Sequence, residues 1–322
     1  MDGTVSRAFL TGGTYARTHL DYPLLVPLSV SWIYTAMGGA FETAAKIIYP
    51  LQFVSLLVIF NYGAGRLAGR RVALVFTALL SMTPLVMTHA AGLPVKVGIL
   101  YSGDFAGYAD LALALYFLSA GVFLSLYASE GKEGWFVLCA LMLGMGAWTK
   151  NEGAPFELTG GLALLTLAAL RRVRANTLAL GAAGVLAFSL PWLLYKTYLG
   201  IGSEYGARLN INTAGENLYR IGPIVKYLGS YMFGYNGLYS FAWWAFFIST
   251  AANVRGLLNK KTGLLCLLIA AQLLVYVLIY VITPSGLDWH VRTSMDRLLL
   301  HVLPLSMLVT AANVHGLMER YL

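Results

Sequence analysis

The sequence predicts an all-α, polytopic membrane protein of about nine transmembrane helices, with one more helix lying along the membrane surface. Three observations carry that prediction. The 322 residues are 58% hydrophobic and 11% charged, with a mean hydropathy of +0.70. Average chains carry about 25% charged residues, and a soluble fold cannot hide so much apolar surface. The apolar residues fall into runs near the roughly 20 residues that a helix needs to cross hydrocarbon. Short basic clusters separate these runs, so the net charge of +8 reads as membrane topology and not as a nucleic-acid surface.

The elements follow in order. Residues 1–21 are polar and rich in Gly and Thr, and they lack the basic-then-apolar pattern of a signal peptide. Residues 22–39 are apolar but carry Pro23, Pro27, Ser29 and Ser31, which suits a short interfacial helix better than a span. Spans are predicted at 43–65, 72–90, 108–128, 135–149, 153–170, 177–199, 236–256, 262–283 and 297–316. Cys139 and Cys266 lie inside apolar runs, which makes them packing residues and not a disulfide or metal pair.

Orientation comes from the linkers. Nine alternating spans place Arg66–Arg71, Ser129–Gly134, Arg171–Arg174, Arg255–Lys261 and the C-terminus on one side. That side carries eleven Lys and Arg against three acids, and is cytoplasmic by the positive-inside rule. Residues 1–42 are then external, which makes the chain look N-terminally incomplete, as if begun at an internal methionine. The other external segments are 91–107, the large loop 200–235 and 284–296. Within the second, 216–233 is aromatic-rich and suits a surface-lying helix. The third packs Asp288, Trp289, His290, Arg292 and Asp296 together.

One stretch concentrates ionisable residues at span mouths. A hairpin of the runs 108–128 and 135–149 returns both ends to one face, gathering Asp104, Asp110, Lys150 and Glu152 there. These are either ordinary wet helix ends or a functional set, since charge held at a span mouth is costly. Lys150 and Arg297 also suit interfacial anchors, and Asp110 suits the start of a helix.

Four motifs, in order along the chain, carry a family resemblance. They are His19-Leu-Asp-Tyr-Pro-Leu-Leu, Gly107-Tyr-Ala-Asp-Leu, the Gly-rich 143–153 ending Trp-Thr-Lys-Asn-Glu-Gly, and Asp296-Arg-Leu-Leu-Leu-His-Val-Leu-Pro. Together they resemble the GT-C glycosyltransferases, the group with the protein O-mannosyltransferases and the aminoarabinose transferases. The resemblance implies a single GT-C-like membrane domain over 1–322, with 1–42 the remnant of a first external loop that holds the interfacial helix.

It also implies an activity. A sugar would pass from a polyprenyl-phosphate donor to a lipid, glycan or protein acceptor, outside a bacterial inner membrane. Stabilising the leaving phosphate calls for cations, and His19, Lys150, Glu152, His290, Arg292 and Arg297 are the implied substrate-binding set. A hydroxyl acceptor needs a carboxylate base, for which Asp21, Asp110 and Asp104 are the candidates. A divalent ion held by these carboxylates with His19 or His290 is a further expectation. The alternatives are a transporter or flippase of lipid-linked sugars, or a non-catalytic membrane subunit. A transporter would show internal repeats and broken helices meeting at mid-membrane, and the sequence has neither.

Overall fold

Helices form wherever the sequence is continuously apolar, because backbone groups in hydrocarbon must be satisfied within the segment. The computed structural model describes residues 20–91, 95–97, 100–102, 107–203, 205–234 and 237–321. His19 and Asp104 lie outside the described residues.

Helix α1 spans Leu25–Met37 and ends on Gly38. It exposes Trp32, Leu28 and Met37, as a helix lying against lipid headgroups would. A single turn at Glu42–Ala45 leads into α2, Ile48–Ser81. This 34-residue run is not one rod. Gly69 has φ 76° and ψ 161° inside it, and Asn61 donates to Thr77 Oγ1 at 3.0 Å. Sixteen residues of straight helix would separate that pair by about 24 Å, so α2 is a hairpin whose turn is Gly69. The spans predicted at 43–65 and 72–90 are its two legs, the second continued after a break by α3, Pro84–Ala91. Beyond it Val95–Val97 and Leu100–Ser102 pair as a small antiparallel ribbon.

Helices α4 (Asp110–Glu130), α5 (Glu133–Thr149), α6 (Gly153–Arg171) and α7 (Ala175–Leu199) follow with short links. The long segment after α7 contains α8, Ile221–Gly229, inside the stretch predicted to form a surface helix. Next come α9 (Ala242–Ala252), α10 (Lys260–Ile282) and α11 (Leu287–Tyr321). The run predicted at 236–256 yields an α-helix of only 11 residues, extended by a 3-10 segment at Val254–Leu258. Residues 284–296 are not a loop, since α11 begins at Leu287 and its first turns carry the charged residues. Pro304 interrupts the hydrogen bonding of α11 midway.

Six described helical runs are long and apolar enough to cross a membrane, one being the α2 hairpin. The hairpin counts twice, which gives seven, and the shorter apolar helices α5 and α9, of 17 and 11 residues, stand where the two remaining spans are expected. Helices α4 and α11 form the interior, with 89% and 83% of their most apolar windows buried. Their apposition depends on small residues: a Cβ on Gly121 would stand 2.4 Å from Leu305. Such close approach is how helices associate in lipid, where no hydrophobic drive distinguishes one apolar surface from another.

The ends of the bundle sort by charge. Arg66 pairs with Glu130, Arg174 pairs with Glu133 at 3.3 Å, and Arg171 donates to the Ala128 carbonyl at 2.5 Å. Arg320 reaches Asn253 Oδ1 at 3.4 Å, and Gly69 lies against His315. All the basic linkers therefore share one end with the C-terminus, as the sequence predicts.

Candidate functional site

At the opposite end, three elements bring charge together. Asp110 is the first residue of α4 and is fully buried, where a carboxylate gains from the helix dipole. Lys150 stands in extended backbone (φ −161°, ψ 152°) directly after α5, and only Asn151 and Glu152 separate it from α6. This turn is so tight that a Cβ on Gly153 would lie 2.0 Å from the Gly146 carbonyl oxygen, so only glycine fits. The third element is α11, which presents Arg297 and His301 one turn apart on the same face.

Lys150 Nζ donates to Asp110 Oδ1 at 2.7 Å and pairs with Glu152 Oε1 at 3.1 Å. His301 Nε2 lies 2.8 Å from the same Asp110 oxygen, and His301 Nδ1 lies 2.9 Å from the Tyr276 hydroxyl. Arg297 Nη1 is 3.8 Å from Asp110 Oδ2. Its guanidinium lies over the Tyr108 ring at 4.9 Å, and Nη2 donates to the Thr293 carbonyl at 2.7 Å. Gln272 donates to the Glu152 carbonyl at 3.0 Å. Burial pulls the Lys150 ammonium toward neutrality, but the Asp110 and Glu152 carboxylates outweigh it and hold the group above the ordinary lysine value. Burial likewise pushes Glu152 up, and the Lys150 charge outweighs it to hold the carboxyl below the ordinary range.

Asp21 is buried beside this cluster. Its Oδ2 accepts from Asn151 at 2.9 Å and faces Lys196 at 3.8 Å. Tyr22, the next residue, has its ring 5.8 Å from Lys150 Nζ, and burial together with the surrounding carboxylates raises its hydroxyl pKa, keeping it protonated. A groove of about 990 Å³ opens between α5, α6 and α7, walled by Leu158, Leu162, Leu186 and Leu190. Asn151, Lys196 and Pro23 line it beside Asp21.

The structure thus brings together Asp110, Lys150, Glu152 and Arg297, with Asp21 alongside. It does not bring Arg292 or His290 into contact with them. Arg292 is on the surface, paired with Asp288 at 2.8 Å, because Asp288 stands one helical turn away. His290 packs against Tyr205 and Tyr280 farther out along α11. Sequence reasoning missed His301, Tyr276, Tyr22, Gln272 and Lys196. His301 had a usable signal, its spacing of four from Arg297, but it sits in an unbroken apolar run.

Among the described residues no three of His, Cys, Asp and Glu converge to hold a metal ion. Lys150 Nζ lies between the Asp110 and Glu152 carboxylates, where a bridging cation would have to sit. Lys150 takes the place of an ion between these two carboxylates, and His19 and Asp104, two of the other expected ligands, lie outside the described residues.

The fold is shared with two solved structures of ArnT from Cupriavidus metallidurans. One, bound to undecaprenyl phosphate, superposes with a TM-score of 0.58 at 16% identity, covering 96% of this chain and 53% of that one. The apo state gives 0.55 at 17% identity with the same coverage. At these identities the likeness is one of fold, and the chain spans about half the length of ArnT. No family model and no curated protein sequence matches the chain. The resemblance to GT-C glycosyltransferases read from the motifs is borne out at the level of the fold.

Proposed function

We propose that this chain transfers a sugar from a polyprenyl-phosphate donor to an acceptor at the end of the bundle opposite the basic linkers. By the positive-inside rule that end is the non-cytoplasmic face, in a bacterial inner membrane. The observation that carries the reading is the convergence on Asp110 of Lys150, Arg297 and His301, from segments up to 191 residues apart. The fold it shares with an ArnT structure bound to undecaprenyl phosphate supports a lipid-phosphate substrate.

Each residue then has a chemical task. The acceptor hydroxyl oxygen attacks the anomeric carbon, the bond to the phosphate oxygen breaks, and the acceptor proton passes to a carboxylate. Asp21 fits the base better than Asp110. Asp110 has no exposure and is bonded to two donors through one oxygen, so it organises the site and does not meet substrate. Arg297 takes the negative charge left on the departing phosphate, because its side chain keeps 20% exposure where Lys150 keeps 7%. The apolar groove beside Asp21 offers a bed for a prenyl chain.

The test is transfer in proteoliposomes from a panel of radiolabelled polyprenyl-phosphate sugars. Arg297→Ala should lower turnover about 100-fold, the usual effect of removing one charge-stabilising donor, and Asp21→Asn should abolish it. If the protein binds undecaprenyl phosphate no better than a vesicle control does, the reading fails.

A further inference from the structure

Arg297 is less buried than Lys150, yet it is not bound tightly by the carboxylate that faces it. Arginine and carboxylate ordinarily meet through two parallel hydrogen bonds, and an arginine so engaged has that fork occupied and its charge offset before a phosphate arrives. Here Asp110 Oδ2 stays 3.8 Å from Nη1 and, among the described residues, has no hydrogen-bond partner. The other oxygen, Oδ1, takes both Lys150 Nζ at 2.7 Å and His301 Nε2 at 2.8 Å.

The protons on this chain of groups can be assigned. A carboxylate between two cations only accepts, so His301 Nε2 carries the hydrogen and donates to Oδ1. In the neutral ring Nδ1 is then an acceptor, and the Tyr276 hydroxyl donates to it at 2.9 Å. The imidazole has no freedom to turn. It is fully buried, edge-on to Phe117 at 6.1 Å, and Phe117 is itself stacked on Phe156 at 3.7 Å. Tyr276 is equally buried on α10.

We propose that His301, locked by Tyr276, is a positioning residue that holds Asp110 by a single oxygen, so that Arg297 keeps Nη1 for the phosphate of a lipid-carried substrate. The inference rests on the reading of Arg297 given under Proposed function. Without the imidazole, Asp110 keeps only Lys150 on Oδ1 and is free to rotate toward Arg297, closing a two-bond pair that competes with the phosphate. His301 acts through Asp110 and touches no substrate itself.

The experiment measures undecaprenyl phosphate binding to the purified full chain in nanodiscs, with thermal unfolding recorded for every variant. Tyr276→Phe deletes one hydroxyl at constant shape and should weaken binding several-fold. His301→Leu should weaken it about tenfold, the loss of one charge-assisted hydrogen bond. His301→Gln keeps an N–H donor on a side chain of similar reach and should restore most of the affinity. In transfer assays the same variants should raise KM for the lipid donor more than they lower kcat. If folded Tyr276→Phe and His301→Leu bind like the native chain, or if Gln rescues no better than Leu, the positioning role is overturned. Should His301→Leu not fold, Tyr276→Phe and His301→Gln decide alone. Arg297→Ala separates the two levels. If it leaves binding intact, the phosphate-site reading fails; if it weakens binding while the His301 and Tyr276 variants do not, only the positioning role fails.

Discussion

Lys150 Nζ and Asp110 Oδ1 stand 2.7 Å apart although 40 residues separate them, and neither side chain is exposed by more than 7%. A buried ion pair adds little stability over well-packed apolar residues, but removing one partner strands the other in a medium that cannot solvate it. Lys150→Met should therefore cost about 3–5 kcal/mol in thermal unfolding of the purified protein. The double variant Lys150→Met with Asp110→Asn should recover most of that. Equal losses for the single and double variants would show that the pair is not what holds the α4 start to the α5–α6 turn.

The turn itself gives a second prediction. Gly153→Ala places a methyl 2.0 Å from the Gly146 carbonyl oxygen, so the helices must part or the backbone must shift. The cost should reach about 3 kcal/mol, the upper range for overpacking, and Lys150 would be displaced with the turn. Gly161→Ala on the same helix meets nothing within van der Waals reach and should stabilise by about 1 kcal/mol through helix propensity. Melting curves of the two variants make the comparison.

Stability should also report the charge state of the turn. Glu152 has a lowered carboxyl pKa when folded, so its contribution is present above the unfolded carboxylate value of about 4.3 and is lost as pH falls through the folded value. Lys150 is raised, so its contribution holds below about 10.4 and is lost as pH rises past its folded value. A Tm plateau between those limits is expected, and Glu152→Gln should remove part of the acid limb. An unchanged acid limb in that variant would assign the loss to other carboxylates.

Side-specific labelling tests the arrangement of the ends. After Cys139→Ser and Cys266→Ser, single cysteines at Ser129 and Asn259 should react with a membrane-impermeant maleimide from one face, and cysteines at Ser203 and Ser285 from the other. Labelling of Ser129→Cys and Asn259→Cys from opposite faces would break the bundle as described.

Much of this was legible in the residues, and where reading stopped has physical reasons. The apolar runs give the helices because hydrocarbon length and backbone satisfaction leave no other structure. The convergence of Asp110, Lys150 and Arg297 was readable because a charge at a span mouth is rarely idle. Residues 284–296 looked like a loop because their hydropathy is low, yet i,i+4 pairing of Asp288 with Arg292 carries the helix outward through that polar stretch. The basic linker Arg66–Arg71 marked the turn between the first two spans, and the structure places the reversal at Gly69 within it. His301 was hidden by its apolar neighbours, and its partner Tyr276 lies on another helix, a pairing that no local pattern encodes.

Helix α11 holds Arg297 and His301 in its outer half and packs the interior with its inner half, and Pro304 falls between the two. Proline has no N–H to give Leu300, so one rung of the ladder is missing directly beside His301. The helix nevertheless runs on through that gap, buried on both sides of Pro304 from Leu298 to Ala311, so packing and not the backbone ladder holds His301 in place.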